Sequence, residues 1–274
     1  MLAFVRSWSL IIDRYRIIPV EGSHNLSIEF NVEKDTTRTP NKAKIRVINF
    51  GRNIARSLPN KPEVQLIAGY KDWSSTIFSG QADRVYYHQD TTEAFLDIEA
   101  KDSGSSYRAA TLSRSFGSNT AVLDVLKYAL DQMGVGYGNL DTVSSQITTR
   151  QGLTTFAQGY AANGAARELV QSIITSSGFR WSIQDGAINI RSGNEPINKQ
   201  AVKLITGGGL IGSPSKDARG KVSARAHLLP FIYPGRIVVL ESLDVEGNFS
   251  VSKCKYTGKS YTTDWYVDIV LREY

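Results

Sequence analysis

Cysteine, histidine and long apolar runs are all scarce in this sequence of 274 residues. A single cysteine, Cys254, excludes an internal disulfide framework and a cysteine-rich zinc site, and it suits folding in a reducing compartment. The three histidines, His24, His88 and His227, stand far apart with no His or Cys nearby, so none begins a metal-ligand spacing. No apolar run approaches the roughly 18 residues of a membrane span. The segment Met1–Asp13 lacks the basic and apolar regions of a signal peptide. HExxH, GxSxG and P-loop patterns are absent as well. Gly207-Gly-Gly209-Leu-Ile-Gly212 matches G-x-G-x-x-G literally, but a dinucleotide loop must open a helix, and Ser213-Pro214 to Gly220 is a turn composition. The sequence therefore offers no catalytic residues, no metal ligands and no cofactor loop, and the expectation is a protein that is not an enzyme.

What is present is ordinary for a globular chain: 41% apolar and 21% charged residues. At roughly 150 residues per domain the length suggests about two domains. The net charge is +6, and most of the excess sits in residues 198–274, where 11 basic residues face 7 acidic ones. Lysines and arginines alternate with apolar residues rather than forming a basic stripe interleaved with aromatics, which argues for solvated strand faces over sequence-directed nucleic-acid binding. Carboxylates such as Asp97 and Glu99 share one strand face, as i, i+2 residues do, which is commonplace on a wet surface.

The first third alternates with period two: Leu26, Ile28, Phe30 and Val32 point one way, and Ala43, Ile45 and Val47 repeat the pattern. Val64–Ala68, Ile77–Phe78, Val85–Tyr87 and Leu96–Ala100 follow as short strands separated by Arg38–Asn41, Pro59–Pro62 and Asp102–Gly104. Asn53–Leu58 fits a short helical turn. The middle third switches to helical spacing at Val122, Leu123, Leu126, Leu130 and Met133, closed by Gly134. Leu169, Val170, Ile173 and Ile174 do the same, with Asn163 as N-cap candidate and Gly178 past the end. Asp185-Gly186 between two alternating runs predicts a type I′ hairpin. Residues 136–164, rich in Gly, Thr and Gln, read as a long loop. Strands return at Val202–Ile205, Val222–Leu228, Arg236–Leu240, Phe249–Tyr256 and Trp265–Leu271, with a hairpin turn expected at Gly247-Asn248.

A self-comparison adds organisation. Shifted by 171 positions, residues 78–98 lie over 249–269 without a gap and with six identities, among them Phe78/Phe249, Asp97/Asp268 and Ile98/Ile269. Upstream, Pro62-Glu-Val-Gln-Leu66 resembles Pro234-Gly-Arg-Ile-Val238 if one or two residues are inserted. Two readings stay open: shared alternation in unrelated hairpins, or a duplicated β-module. The second predicts a mainly β (α+β) protein with two β-barrel or sandwich modules, 1–104 and 198–274, flanking a small α/β unit at 105–197.

The runs Asn41–Phe50, Val64–Tyr70 and Ile77–Gly80, then Gly209–Pro214, Leu228–Ser242 and Phe249–Lys253 with Asp264-Trp265, resemble in order and spacing the Mu-like baseplate hub proteins of contractile-tailed phages. The resemblance spans nearly the whole chain. It implies a homotrimer of tail-tube-like modules, a symmetry adaptor joining a sixfold tail tube to a threefold spike, with tube, spike and baseplate wedge proteins as partners. DNA would pass the lumen only in transit, without stable membrane insertion, and the protein would reside in the virion after assembly in the host cytoplasm. The residues expected to shape modules or interfaces are Gly69, Tyr70, Phe78 and Gly80 in the first module. In the second they are Leu228, Leu229, Pro230, Ile232, Pro234 and Gly235. Two other classes compete: a receptor- or carbohydrate-binding tail module, which would cluster exposed aromatics in one concavity, and a cell-wall hydrolase, which would show a paired acid and base with perturbed ionisation.

Overall fold

Strict alternation turns the first third into strands with one face inward: in Ser27–Asp35 the buried residues are Ile28, Phe30, Val32 and Lys34. A computed structural model describes residues 5–19 and 26–274, so His24 lies outside the described residues. The first third comprises β1 (Arg6–Ile12), β2 (Tyr15–Ile17), β3 (Ser27–Asp35), β4 (Lys42–Ile48), α1 (Arg52–Ser57), β5 (Glu63–Tyr70), β6 (Trp73–Gln89) and β7 (Ala94–Lys101). The middle comprises α2 (Ser105–Ala109), β8 (Thr111–Phe116), β9 (Thr120–Ala121), α3 (Val122–Met133), α4 (Leu140–Gln151), β10 (Thr155–Phe156), β11 (Tyr160–Ala165), α5 (Ala166–Ser176), β12 (Phe179–Gln184) and β13 (Ala187–Ser192). The last third is all strand: β14 (Asn198–Thr206), β15 (Gly209–Lys216), β16 (Val222–His227), β17 (Arg236–Glu241), β18 (Glu246–Lys259) and β19 (Trp265–Arg272).

The last six strands close on themselves in the order β17-β14-β15-β16-β19-β18, with β18 returning to β17, a six-stranded barrel. The sheet then continues across β18–β3 into β3-β4-β7-β6-β5-β1-β2, which stays open among the described residues. The two units share one order: β3-β4-β7-β6-β5-β1 runs parallel in sequence logic to β15-β16-β19-β18-β17-β14. Their first strands differ in direction, β1 lying antiparallel to β5 and β14 parallel to β17. Registers repeat too. Leu66 opposes Phe78 as Val238 opposes Phe249, and the pairs from Ala43↔Ala100 to Ile48↔Phe95 correspond to those from Val222↔Leu271 to His227↔Tyr266. Only the long hairpins differ, Asp97 facing Tyr86 where Asp268 faces Lys255. A single apolar core runs through both β-units, and a second lies among α3, α5 and the β12–β13 hairpin.

Several local expectations change. Residues 136–164 are not a loop: α4 occupies 140–151, burying Leu140 and Ile147 at i, i+7 spacing, and β11 pairs with β8. Asn163 lies in β11 opposite Ser113, while α5 begins after Ala165 with no side-chain cap. Gly247 and Asn248 are inside β18, the turn before it being Ser242–Val245, where the Ser242 hydroxyl donates to Val245 O. Ser213–Lys216 belong to β15, so the turn is confined to 217–220. The runs at Ile77 and Val85 are one strand, β6, whose bulges let it pair first with β5 and then with β7. The Asp185-Gly186 hairpin forms with φ of 51° and 82°, and Gly134 ends α3.

Candidate functional site: the seam and the open strand edges

Gly69 and Tyr70, at the end of β5, meet the second β-unit. Trp265 Nε1 donates to Gly69 O at 2.9 Å, and Phe30 packs edge-to-face on the Trp265 ring at 5.3 Å. The Arg6 guanidinium lies over the same indole and donates to the carbonyls of Lys259 and Thr262. Tyr70 OH stands 3.4 Å from His227 Nδ1, and burial holds its hydroxyl pKa above the ordinary phenol value. Gly69 cannot be replaced without moving backbone, because a Cβ there would sit 2.2 Å from Trp73 O. A Cβ at Gly80 would lie 2.1 Å from Lys101 O, where β6 crosses close to the end of β7. Phe78 is fully buried.

The loop Leu228–Gly235 is also internal: Leu228, Leu229, Pro230, Ile232, Pro234 and Gly235 are all buried. Its carbonyls are tied down by Tyr256, whose buried hydroxyl donates to Ile232 O, and Gly235 N donates to Val251 O at 2.8 Å. The structure therefore brings Gly69 and Tyr70 together with the start of this loop, through His227, and keeps the rest of it inside the protomer. Cys254, fully buried, has its thiol pushed up to about 12 by burial, which leaves it unreactive.

The repeat carries a matching surface device. Arg46 grips Asp97 through Nε and one terminal nitrogen at 2.6 and 3.0 Å, with its guanidinium 5.4 Å from the Phe95 ring. Arg225 grips Asp268 at 2.7 and 3.2 Å and lies 3.9 Å from the Tyr266 ring. Aromatic and aspartate are the residues aligned by the 171-position shift, so the correspondence extends to side-chain contacts. Exposed pairs of this kind contribute only about 0.2–1 kcal/mol. Their use is to hold register across β4–β7 and β16–β19.

The units differ in what covers their edges. Lys253–Lys259 of β18 pairs with β19 on one side and with Glu29–Asp35 of β3 on the other. The corresponding half of β6, Arg84–Gln89, pairs with β7 alone among the described residues. As a result Cys254 and Tyr256 are fully buried, while Val85 and Tyr87, which occupy the same places in the first unit, are half-buried. At the other end, β3 has neighbours on both sides, but in its counterpart β15 the residues Ile211, Ser215 and Lys216, on either side of an irregularity, pair with β16 only among the described residues. The chain therefore presents one open strand of each kind that it has already paired internally. An open edge with half-covered apolar residues is a template for another strand.

A buried polar bracket joins the middle unit to the first sheet. Asp102, 1% exposed, accepts from Asn41 N at 2.9 Å, Asn41 Nδ2 at 2.6 Å and Asp185 N at 3.3 Å. Lys34, buried on β3, pairs with Asp185 at 2.6 Å. Burial pushes the Asp102 carboxyl up to about 7, outweighing the Asn41 bonds and the Lys34 charge. This is a perturbed acid, but the protein's own donors occupy both its oxygens, so it braces a junction. Sequence reasoning missed it because its members lie up to 151 residues apart. The residues of the literal glycine motif sit between and within β14 and β15, with no helix to receive a pyrophosphate. Among the described residues no group of three or more His, Cys, Asp or Glu could hold a metal, and no helix is long and apolar enough to cross a membrane.

Comparison with known proteins places this architecture. No family profile and no curated protein sequence matches the chain. Solved structures do. A tail protein from Neisseria meningitidis superposes with a TM-score of 0.64 at 8% identity, covering 98% of this chain and 97% of that one. The 43 kDa tail protein of prophage MuSo2 from Shewanella oneidensis gives 0.62 at 7% identity, covering 97% and 96%. A component of the E. coli type VI secretion system, described as structurally similar to phage T4 tail proteins, gives 0.55 at 8% identity, covering 97% and 76%. The chain has the β-rich fold of phage tail proteins. Its structural neighbours are tail proteins and a type VI secretion component, in keeping with the hub resemblance read from the sequence.

Proposed function

We propose that this protein is a structural baseplate hub of a phage tail, built as a homotrimer in which each chain contributes two tube-like β-units. The observation that carries the proposal is the repeated edge: β18 pairs with β3 within the chain, whereas the corresponding edges, β6 at Arg84–Gln89 and β15 at Ile211–Lys216, are open among the described residues. Pairing β6 of one copy with β15 of the next reproduces the internal junction and continues the sheet from subunit to subunit. Such a contact is heterologous and must close into a ring or grow without limit. Three copies give six similar units, which suits a sixfold tube on one face and a threefold spike on the other. In this reading the units are 1–104 and 198–274, the α/β unit is 105–197, and DNA crosses the lumen without a recognition surface. Residence in the virion follows from that role.

Light scattering on the purified protein tests the proposal. The expected mass is three times that of the 30.2 kDa chain. A monomer that persists at high concentration, together with no incorporation into tails when assembly is reconstituted, would overturn it.

A further inference from the structure

The positive charge of the last third is not evenly spread. Arg225, Lys216, Lys203 and Lys255 are paired with Asp268, Glu273, Glu241 and Glu33. Lys221 and Arg272 are not, and they line a groove of about 580 Å³ between the middle unit and the barrel. Arg38, Arg180, Arg191 and Lys253 line the same groove, with Asp35 as its one carboxylate. Among the described residues, Arg38, Arg180, Lys221 and Arg272 have no ion-pair partner. The crowding is felt by Arg191, whose pKa is lowered first by burial and then by the charges of Arg180 and Arg272. Its terminal nitrogens donate to Gly193 O and Thr36 O, while its buried Nε has no acceptor. A set of like charges held together in a recess raises the local concentration of anions.

We propose that this groove binds an acidic peptide segment of a partner protein, its carboxylates held by Arg38, Arg180, Lys221 and Arg272. Guanidinium groups match carboxylates in paired, planar geometry, whereas the hydroxyls of Thr37, Thr175 and Ser252 along the wall already donate to Asp35, Gln171 O and Val270 O, which leaves the binding to the cationic side chains. The groove disfavours nucleic acid on two counts. Its one aromatic, Trp181, is buried with its indole N–H given to Gln171 at 2.9 Å, so no stacking platform faces the opening. A recess of this size also suits side chains of an extended segment better than the broad convex surface of a duplex.

The test is fluorescence anisotropy of a labelled octaglutamate peptide titrated with the full-length protein, beside single-stranded and duplex DNA of equal charge. The peptide should bind, and its binding should weaken about tenfold in the R38E/R272E double variant, as expected when two charges facing a ligand are reversed. Should R38E/R272E lose its circular dichroism signature, R38Q/R272Q provides the same reading with less perturbation. Lys71→Glu, outside the groove, should bind like the parent protein. The proposal is overturned if the peptide fails to bind, if the groove variants bind it as well as the parent, or if DNA binds more tightly and is the ligand whose affinity the groove variants reduce.

Discussion

At Gly69 the backbone adopts φ of 154°, and the space a side chain would need is filled by the Trp73 carbonyl. Gly69→Ala should therefore destabilise the protein by about 2–4 kcal/mol, the range for strain that only backbone movement relieves. Gly117→Ala, with open space around it, should change stability by less than about 0.5 kcal/mol. Denaturant unfolding of both variants checks the contrast. Asp102 gives a pH signature at the same scale. Its pKa is raised from 3.8 unfolded to about 7 folded, so the folded state holds the extra proton between those values. Stability contributed by this group is full below about pH 4 and is lost as pH rises towards 7. Asp102→Asn should flatten that part of the profile, measured by urea midpoints between pH 4.5 and 7.5. An unchanged slope in the variant would remove Asp102 as its source.

In the proposed trimer, strands rather than residues would decide assembly. Val85 and Tyr87 on the open half of β6 sit where a neighbouring strand would cover them, and inward-pointing charge is how natural edges refuse partners. Val85→Lys with Tyr87→Lys should leave the far-ultraviolet spectrum intact and shift the light-scattering mass to that of a single chain. The element scale also separates what could be read from sequence from what could not. Alternation at Ile28, Phe30 and Val32, helical spacing at Val122–Met133 and the Asp185-Gly186 turn are local signals, and each predicted its element. Helix α4 carried a signal as well, Leu140, Val143 and Ile147 on one face, but its Ser and Thr content and low apolar density hid it. The one-strand character of β6 depends on bulges that appear only once both partners are in place.

For the whole molecule, the sequence repeat proved more informative than composition. It aligned Phe78 of β6 with Phe249 of β18, and the aspartate and aromatic residue that each arginine contacts, yet it could not indicate that one copy would close into a barrel while the other stays open among the described residues. That difference depends on β18 meeting β3 across more than two hundred residues, as in the bond between Thr257 and Asn31. The loop residues of Leu228–Gly235, expected from the sequence to shape the second unit, are buried, and that burial is a matter of tertiary packing that local turn chemistry does not reveal.

The β18–β3 junction also sets a timetable. A ribosome that has released residues 1–245 has delivered every strand of the first unit, but neither β18, which flanks β3, nor Trp265, which caps Phe30 and ties Gly69. Until β18 and β19 emerge, the Glu29–Asp35 edge is open as well as the open half of β6, and contacts of such long sequence separation form late. Polysome crowding would thus set neighbouring nascent chains in competition with each chain's own β18 and β19. Translation speed over the codons for residues 246–272 would then bear on whether the first unit is completed in cis or captured in trans.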